Sequence, residues 1–253
     1  MTTKLTKPIA IIAGAGPGTG ASIARRFAQT YPVVLLARRQ SSLDPLVQAI
    51  NQSGGTALGI PADVTQPGTM EATMQQIEGA FGGADRPVTV AAAIFNVASK
   101  FSRAPFLDSG AEFLASLEAT ARGASNFSQA VLPFLLRAAG ETPPARLAPT
   151  LIFTGATASL KGGSGLGSFA MSKFAVRALA QSLAREFGPR GVHVAHAIVD
   201  GIIATEQTRG YMTDKPDAKI DPDWIAETYW FLHSQPRSSF THELDLRPYC
   251  ETW

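Results

Sequence analysis

Five short apolar runs punctuate the chain at residues 9–13, 33–37, 88–95, 151–154 and 192–199, rich in β-branched side chains and with little alternation of apolar and polar positions. Runs of this length and continuity predict strands buried on both faces. Between them the apolar spacing becomes helical: Ile23 with Phe27, Phe113 and Leu114 with Leu117, then Phe127, Val131 and Leu135. Ala178, Leu179, Leu183 and Phe187 continue the pattern, and with Phe127, Val131 and Leu135 they are expected in the core or at a subunit interface. Strands alternating with helices predict one α/β domain over residues 1–253, a doubly wound parallel sheet with helices on both faces. Residues 139–149, with Pro143, Pro144 and Pro149, read as a surface connection before a strand. Residues 206–223 are polar and contain Gly210, Pro216 and Pro222, which leaves them open as a surface loop or a substrate lid.

Composition narrows the function classes. The 253 residues carry 22 Lys+Arg against 20 Asp+Glu, a net charge of +2 that is too small for a nucleic-acid footprint. No run reaches the ~18 apolar residues of a membrane span, so neither nucleic acid nor membrane is an expected partner. The lysine-bearing start opens directly into an apolar run and a glycine loop, so it reads as folded core, with the mature chain beginning near Met1, and not as a signal peptide. Cys250 is the only cysteine, which excludes an intramolecular disulfide and suits a reducing compartment, the cytoplasm. His193 and His196 fall three apart in a predicted strand, hence on opposite faces, and read as structural. His233 and His242 have only Glu243 near ligand spacing, so no metal site is expected.

The candidate chemistry begins at Gly14-Ala15-Gly16-Pro17-Gly18-Thr19-Gly20, between a predicted strand and a helix starting near Thr19. Backbone without side chains approaches a pyrophosphate closely, and a helix N-terminus offers it N–H groups and the positive end of a dipole. A dinucleotide site commonly sets a carboxylate on the ribose about 20 residues further on. Here that place holds Arg38, followed by Arg39, and no Asp or Glu occurs before Asp44. A guanidinium at that strand end suits a 2′-phosphate, so the expected cofactor is NADP(H).

These residues resemble the short-chain dehydrogenase/reductase family over nearly the whole chain, which implies a Rossmann-type fold. Residues 13–20 are similar to the family's Thr-Gly-x-x-x-Gly-x-Gly loop, with Ala13 in place of Thr. Asp63 and Val64 resemble its adenine-contacting pair, and Asn96 its Asn-Asn-Ala-Gly strand end. The stretch from Asp200 and Gly201 to Thr205 resembles its Pro-Gly-x-x-x-Thr segment, which implies that Ile203 and Thr205 meet the nicotinamide carboxamide. The resemblance also implies a homodimer or homotetramer.

The catalytic half departs from the family. Its Tyr-x-x-x-Lys motif is here Phe169-Ala170-Met171-Ser172-Lys173, its serine position is Ala156, and its helix asparagine maps to Thr120. Of four expected catalytic residues only Lys173 remains, where the resemblance implies a hold on the nicotinamide ribose. Ala156 and Phe169 are expected to line the substrate pocket, with Tyr211 from the possible lid. Thr157 is the foremost substitute hydroxyl, beside Thr154, Ser159, Ser164 and Ser168. Reducing a ketone creates alkoxide charge that a positioned acid normally meets, whereas an iminium becomes a neutral amine without one. The sequence therefore predicts an NADP(H)-dependent oxidoreductase moving hydride to a small carbonyl or iminium substrate. The alternative is an NADP(H)-binding protein without redox turnover, a cyclase-like template or a cofactor-sensing regulator.

Overall fold

The computed structural model describes residues 7–66, 68–83, 87–98, 103–141 and 146–252. Residues 1–6, and Pro143 and Pro144 of the expected connection, lie outside these. Seven parallel strands form one sheet in the order β3-β2-β1-β4-β5-β6-β7. They are β1 (Ile9–Ala13), β2 (Val33–Ala37), β3 (Ala57–Pro61), β4 (Val90–Phe95), β5 (Thr150–Ala156), β6 (His193–Val199) and β7 (Glu243–Leu246). Every residue of β1, β4 and β6 is buried, as continuous apolar runs require of strands covered on both faces. The two strands without such a run are the edges. Gly59 and Pro61 interrupt β3, while β7 alternates Glu243 and Asp245 with leucines over only four residues.

Helices α1 (Thr19–Ala28), α2 (Asp44–Gln52) and α7 (Pro222–His233) cover one face, with Ile23, Phe27, Ile50 and Tyr229 in a shared core. Helices α3 (Thr69–Phe81), α5 (Gly123–Ala139) and α6 (Gly167–Phe187) cover the other through Met74, Phe127, Val131, Leu135 and Val176. The stripe that leads into α5 is not one regular helix. A 3₁₀ turn (Ala111–Leu114), the single turn α4 (Ala115–Leu117) and a π turn (Glu118–Arg122) precede it. Thr120 lies within the π turn, 1% exposed, its hydroxyl without a hydrogen-bond partner among the described residues.

The strand order reverses between β1 and β4, so the loops after these two strands diverge and open a crevice at the carboxyl edge of the sheet. Register places Ala13 beside both Leu36 and Phe95, and Phe95 beside Phe153, so the ends of β2, β1, β4 and β5 reach that edge together.

The histidines belong to the framework. His193 stacks on Phe240 at 4.2 Å and its Nε2 meets the Thr241 carbonyl, while His196 Nδ1 lies 2.9 Å from Glu243, which also takes both arms of Arg177. At the end of α7 the Thr150 hydroxyl donates to the Ala148 carbonyl, so His233 Nδ1–H donates to Thr150 and the Tyr31 hydroxyl donates to Nε2. That network fixes a neutral ring. Burial lowers both His233 and His196 to about 4, for His196 against the opposing pull of Glu243. The unfolded chain therefore binds more protons between pH ~6.5 and ~4. Unfolding free energy should fall with pH through that window, by up to about 1.4 kcal/mol per pH unit for each such histidine. Urea unfolding from pH 7 to 4 should show this slope and a shallower one in His233→Gln; an unchanged slope in the variant would refute the assignment.

Candidate active site

The crevice holds a cavity of about 940 Å³ that runs across the carboxyl edge of the sheet. Gly14, Gly16 and Pro17 line its middle, and Arg38, Arg39, Ser42, Asp63, Val64 and Thr65 its far end. Val97, Asp108, Glu112, Phe113, Ser168 and Phe169 line the near end, with Asn96 between the glycine loop and this end.

The glycine loop is shaped by close approach. Gly14 has φ +85°, and a Cβ there would stand 2.6 Å from the Asn96 carbonyl oxygen. Gly18 has φ +94°, and its Cβ would stand 2.8 Å from Thr205 Cγ2. Neither position tolerates an ordinary side chain. Gly16 differs: nothing lies within 4 Å of the place its Cβ would take, so bare backbone faces the cavity. Thr19 and Gly20 open α1, which has no side chain capping its first turn and no acidic residue in it. An uncapped helix start above an open glycine fits a pyrophosphate. Arg38 and Arg39 are exposed at the end of β2, and neither has a carboxylate partner among the described residues. Asp63, by contrast, folds onto its own turn, accepting from the Thr65 amide and hydroxyl.

Beneath the loop runs a chain of hydrogen bonds that the sequence did not disclose. The Thr154 hydroxyl donates to Asn96 Oδ1 at 3.0 Å, so the Tyr229 hydroxyl, 2.7 Å away, must donate to Thr154. Asn96 Nδ2 then donates to the Gly14 carbonyl at 3.2 Å, and Lys173 Nζ donates to the Thr154 carbonyl at 3.0 Å. Tyr229 is fully buried, and burial pushes its phenol far above the ordinary value, so it remains a donor. Its only sequence signal is an apolar helix position, which does not separate a hydrogen-bonding tyrosine from a packing one.

The catalytic candidates are not brought together. Lys173 is 4% exposed, its ammonium 5.9 Å from the centre of the Phe169 ring, and burial lowers its pKa to about 8. Phe169 lines the cavity; Lys173 does not. Thr157 is turned away, its hydroxyl donating to Asp200, whose other oxygen lies 3.6 Å from Arg247. Ala156, Ile203, Thr205 and Tyr211 are likewise outside the cavity lining. Ile203 pairs with Ile220, which closes the base of the loop that carries Tyr211, and Tyr211 is 60% exposed upon it. Among the described residues, the three serines that line the near end also give their protons to protein oxygens: Ser109 to the Pro105 carbonyl, Ser116 to Ser172, and Ser168 to the Phe113 carbonyl.

A family model for short chain dehydrogenases matches residues 8–216. The chain belongs to that family. An uncharacterized oxidoreductase of Staphylococcus aureus (strain N315) is 27% identical over 248 residues, covering 97% of this chain and 99% of that one. A solved short-chain dehydrogenase from Rhodopseudomonas palustris is 31% identical, with TM-score 0.74 over 96% of this chain and 99% of its own. The fold is shared with an alcohol dehydrogenase of the archaeon Thermococcus sibiricus, solved with 5-hydroxy-NADP, at 23% identity and TM-score 0.81, covering 97% of this chain and 98% of that one. The chain is thus an oxidoreductase-family protein with a Rossmann-type sheet, and the family binds a nicotinamide cofactor.

Removing the Tyr229 hydroxyl tests the buried chain. Tyr229→Phe should lower the unfolding free energy by about 1 kcal/mol, and Thr154→Val, which also strands Asn96 Oδ1, by about 2 kcal/mol. Urea denaturation measures both, and a Tyr229→Phe protein as stable as the parent would remove that hydroxyl from the network.

Proposed function

We propose that this protein is an NADP(H)-dependent oxidoreductase that moves hydride between the nicotinamide and a small organic substrate. The observation that carries the reading is the pair of arginines, Arg38 and Arg39, at the cavity end beyond the glycine loop, where the end of β2 offers no carboxylate to a ribose hydroxyl and Asp63, the carboxylate across from it, accepts from its own turn. Two guanidinium groups fit a 2′-phosphate and give a 2′-hydroxyl little reason to bind. Gly14, Gly16, Pro17, Gly18, Thr19 and Gly20 form the pyrophosphate cradle in this reading, with Asp63 and Val64 beside the adenine. Asn96, Ile203 and Thr205 flank the nicotinamide end. Lys173, buried behind Phe169 with its ammonium on the Thr154 carbonyl, braces the strand end beneath the nicotinamide ribose in this reading. The bound coenzyme supplies a hydride donor or acceptor; the protein orients it and shapes the space above it.

Thr157 enters the proposal as a positioning residue, because its proton is engaged with Asp200. Ala156, Phe169 and Tyr211 border the substrate's approach. Exposed Met171 and Phe174 on α6 support pairing of two or four copies through that helix. The lone Cys250 supports a cytoplasmic protein.

A second reading, binding of NADP(H) without turnover, is favoured by the absence of a hydroxyl at 156 and 169. Turnover separates the two, since a protein that binds NADPH yet never oxidises it across carbonyl, enone and imine panels belongs to the second. Cofactor choice is tested by Arg38→Ala. NADPH binding, followed by fluorescence titration, should weaken about tenfold or more while NADH binding changes little. Equal weakening of both would overturn the 2′-phosphate role.

A further inference from the structure

Resting on that NADPH reading, we propose that the near end of the cavity takes a cationic substrate, an iminium ion, and delivers a neutral amine. Two features of this end point there. The first is where its protons lie. In a ketone reduction the new alkoxide must receive a proton or a strong hydrogen bond, and a positioned acid contributes about 10²- to 10⁴-fold. Yet Phe169 and Ala156 carry no hydroxyl, and the lining serines Ser109, Ser116 and Ser168 donate into the protein. Thr154 donates to Asn96 and Thr157 to Asp200. Lys173 stands behind the Phe169 ring with its ammonium on the Thr154 carbonyl.

The second feature is charge. Among the described residues, the lining of this end contains two ionisable side chains, Asp108 and Glu112, both carboxylates and both exposed. Arg103, next in sequence to the lining residue Ala104, is tied through Nε to the Ser164 carbonyl, and neither Arg103 nor Ser164 is in the lining. Phe113 and Phe169 line it with aromatic rings, a group whose face attracts a cation, and Val97, Ala98, Ala115 and Ala119 complete an apolar wall.

An iminium matches both features. Its carbon takes up hydride with both electrons, the C=N π pair moves onto nitrogen, and the positive charge disappears. The product is a neutral amine, the nicotinamide is left oxidised, and no proton is owed. The substrate's charge is what the ring faces and carboxylates attract, and its loss on reduction favours product release.

The test uses N-methyl-3,4-dihydroisoquinolinium, which is permanently charged, against 1-tetralone, a neutral ketone of similar shape, with purified protein and NADPH. The iminium should be reduced at least ~100-fold faster, at a rate flat from pH 6 to 7, below the range in which Lys173 titrates. A second readout is binding of the iminium to protein loaded with NADP⁺, measured by calorimetry without turnover. It should weaken roughly fivefold in Asp108→Asn/Glu112→Gln, as two exposed carboxylates warrant. Tetralone reduced as fast as the iminium would overturn the proposal, as would a rate that follows one titrating acid between pH 6 and 7. So would unchanged binding in the double variant, or NADPH that binds while neither compound turns over. Failure of NADPH itself to bind, seen in the fluorescence titration, would overturn the cofactor reading instead and is distinguishable for that reason.

Discussion

The site depends on one polar junction at the point where the sheet changes direction. Asn96 leaves β4 and reaches across to β1, its amide nitrogen on the Gly14 carbonyl and its oxygen accepting from Thr154 of β5. Loops that diverge from neighbouring strands have no ladder to hold them, so a side-chain clamp must do it. Thr154 is the hub. Its hydroxyl receives from Tyr229 on one face of the sheet, and its carbonyl receives from Lys173 on the other. All of these groups are wholly or largely removed from water, where an unmade bond is costly, and that cost fixes the loop geometry more firmly than glycine flexibility would allow.

That arrangement also explains why a lysine survives where its usual partner does not. With Phe169 in place of a phenol, the ammonium of Lys173 has no acid to tune, but it still satisfies the Thr154 carbonyl and sits against a ring face. The same logic extends outward. Asp200, where the family has proline, takes the Thr157 proton and pairs with Arg247, so a substituted backbone position has acquired a polar contact that removes a potential acid. Each change leaves the framework satisfied, and the described serines of the near end give their protons to the protein.

Much of the fold was legible in the chain. The five apolar runs became β1, β2, β4, β5 and β6, with boundaries shifted by a residue or two, because strands buried on both faces are built mostly of apolar side chains. Edge strands β3 and β7 escaped notice because half-exposed strands need no such run. The glycine loop, Arg38, Arg39, Asp63 and Asn96 came together in one cavity, as motif spacing around a strand end requires. The places expected for Tyr211 and Thr157 were less legible. One depends on how the loop between Ile203 and Ile220 closes, the other on a carboxylate 43 residues away.

The sequence by itself determined the sheet, the glycine cradle, the arginines facing it and the loss of hydroxyls at 156 and 169, because each is a matter of residue type at a fixed local spacing. Only the tertiary structure decided which way the remaining protons point. Ser116 with Ser172, Thr154 with Tyr229 and Thr157 with Asp200 are partners separated by 43 to 75 residues. A hydroxyl's donor direction is set by whichever acceptor packing brings within about 3 Å, and no local pattern encodes that.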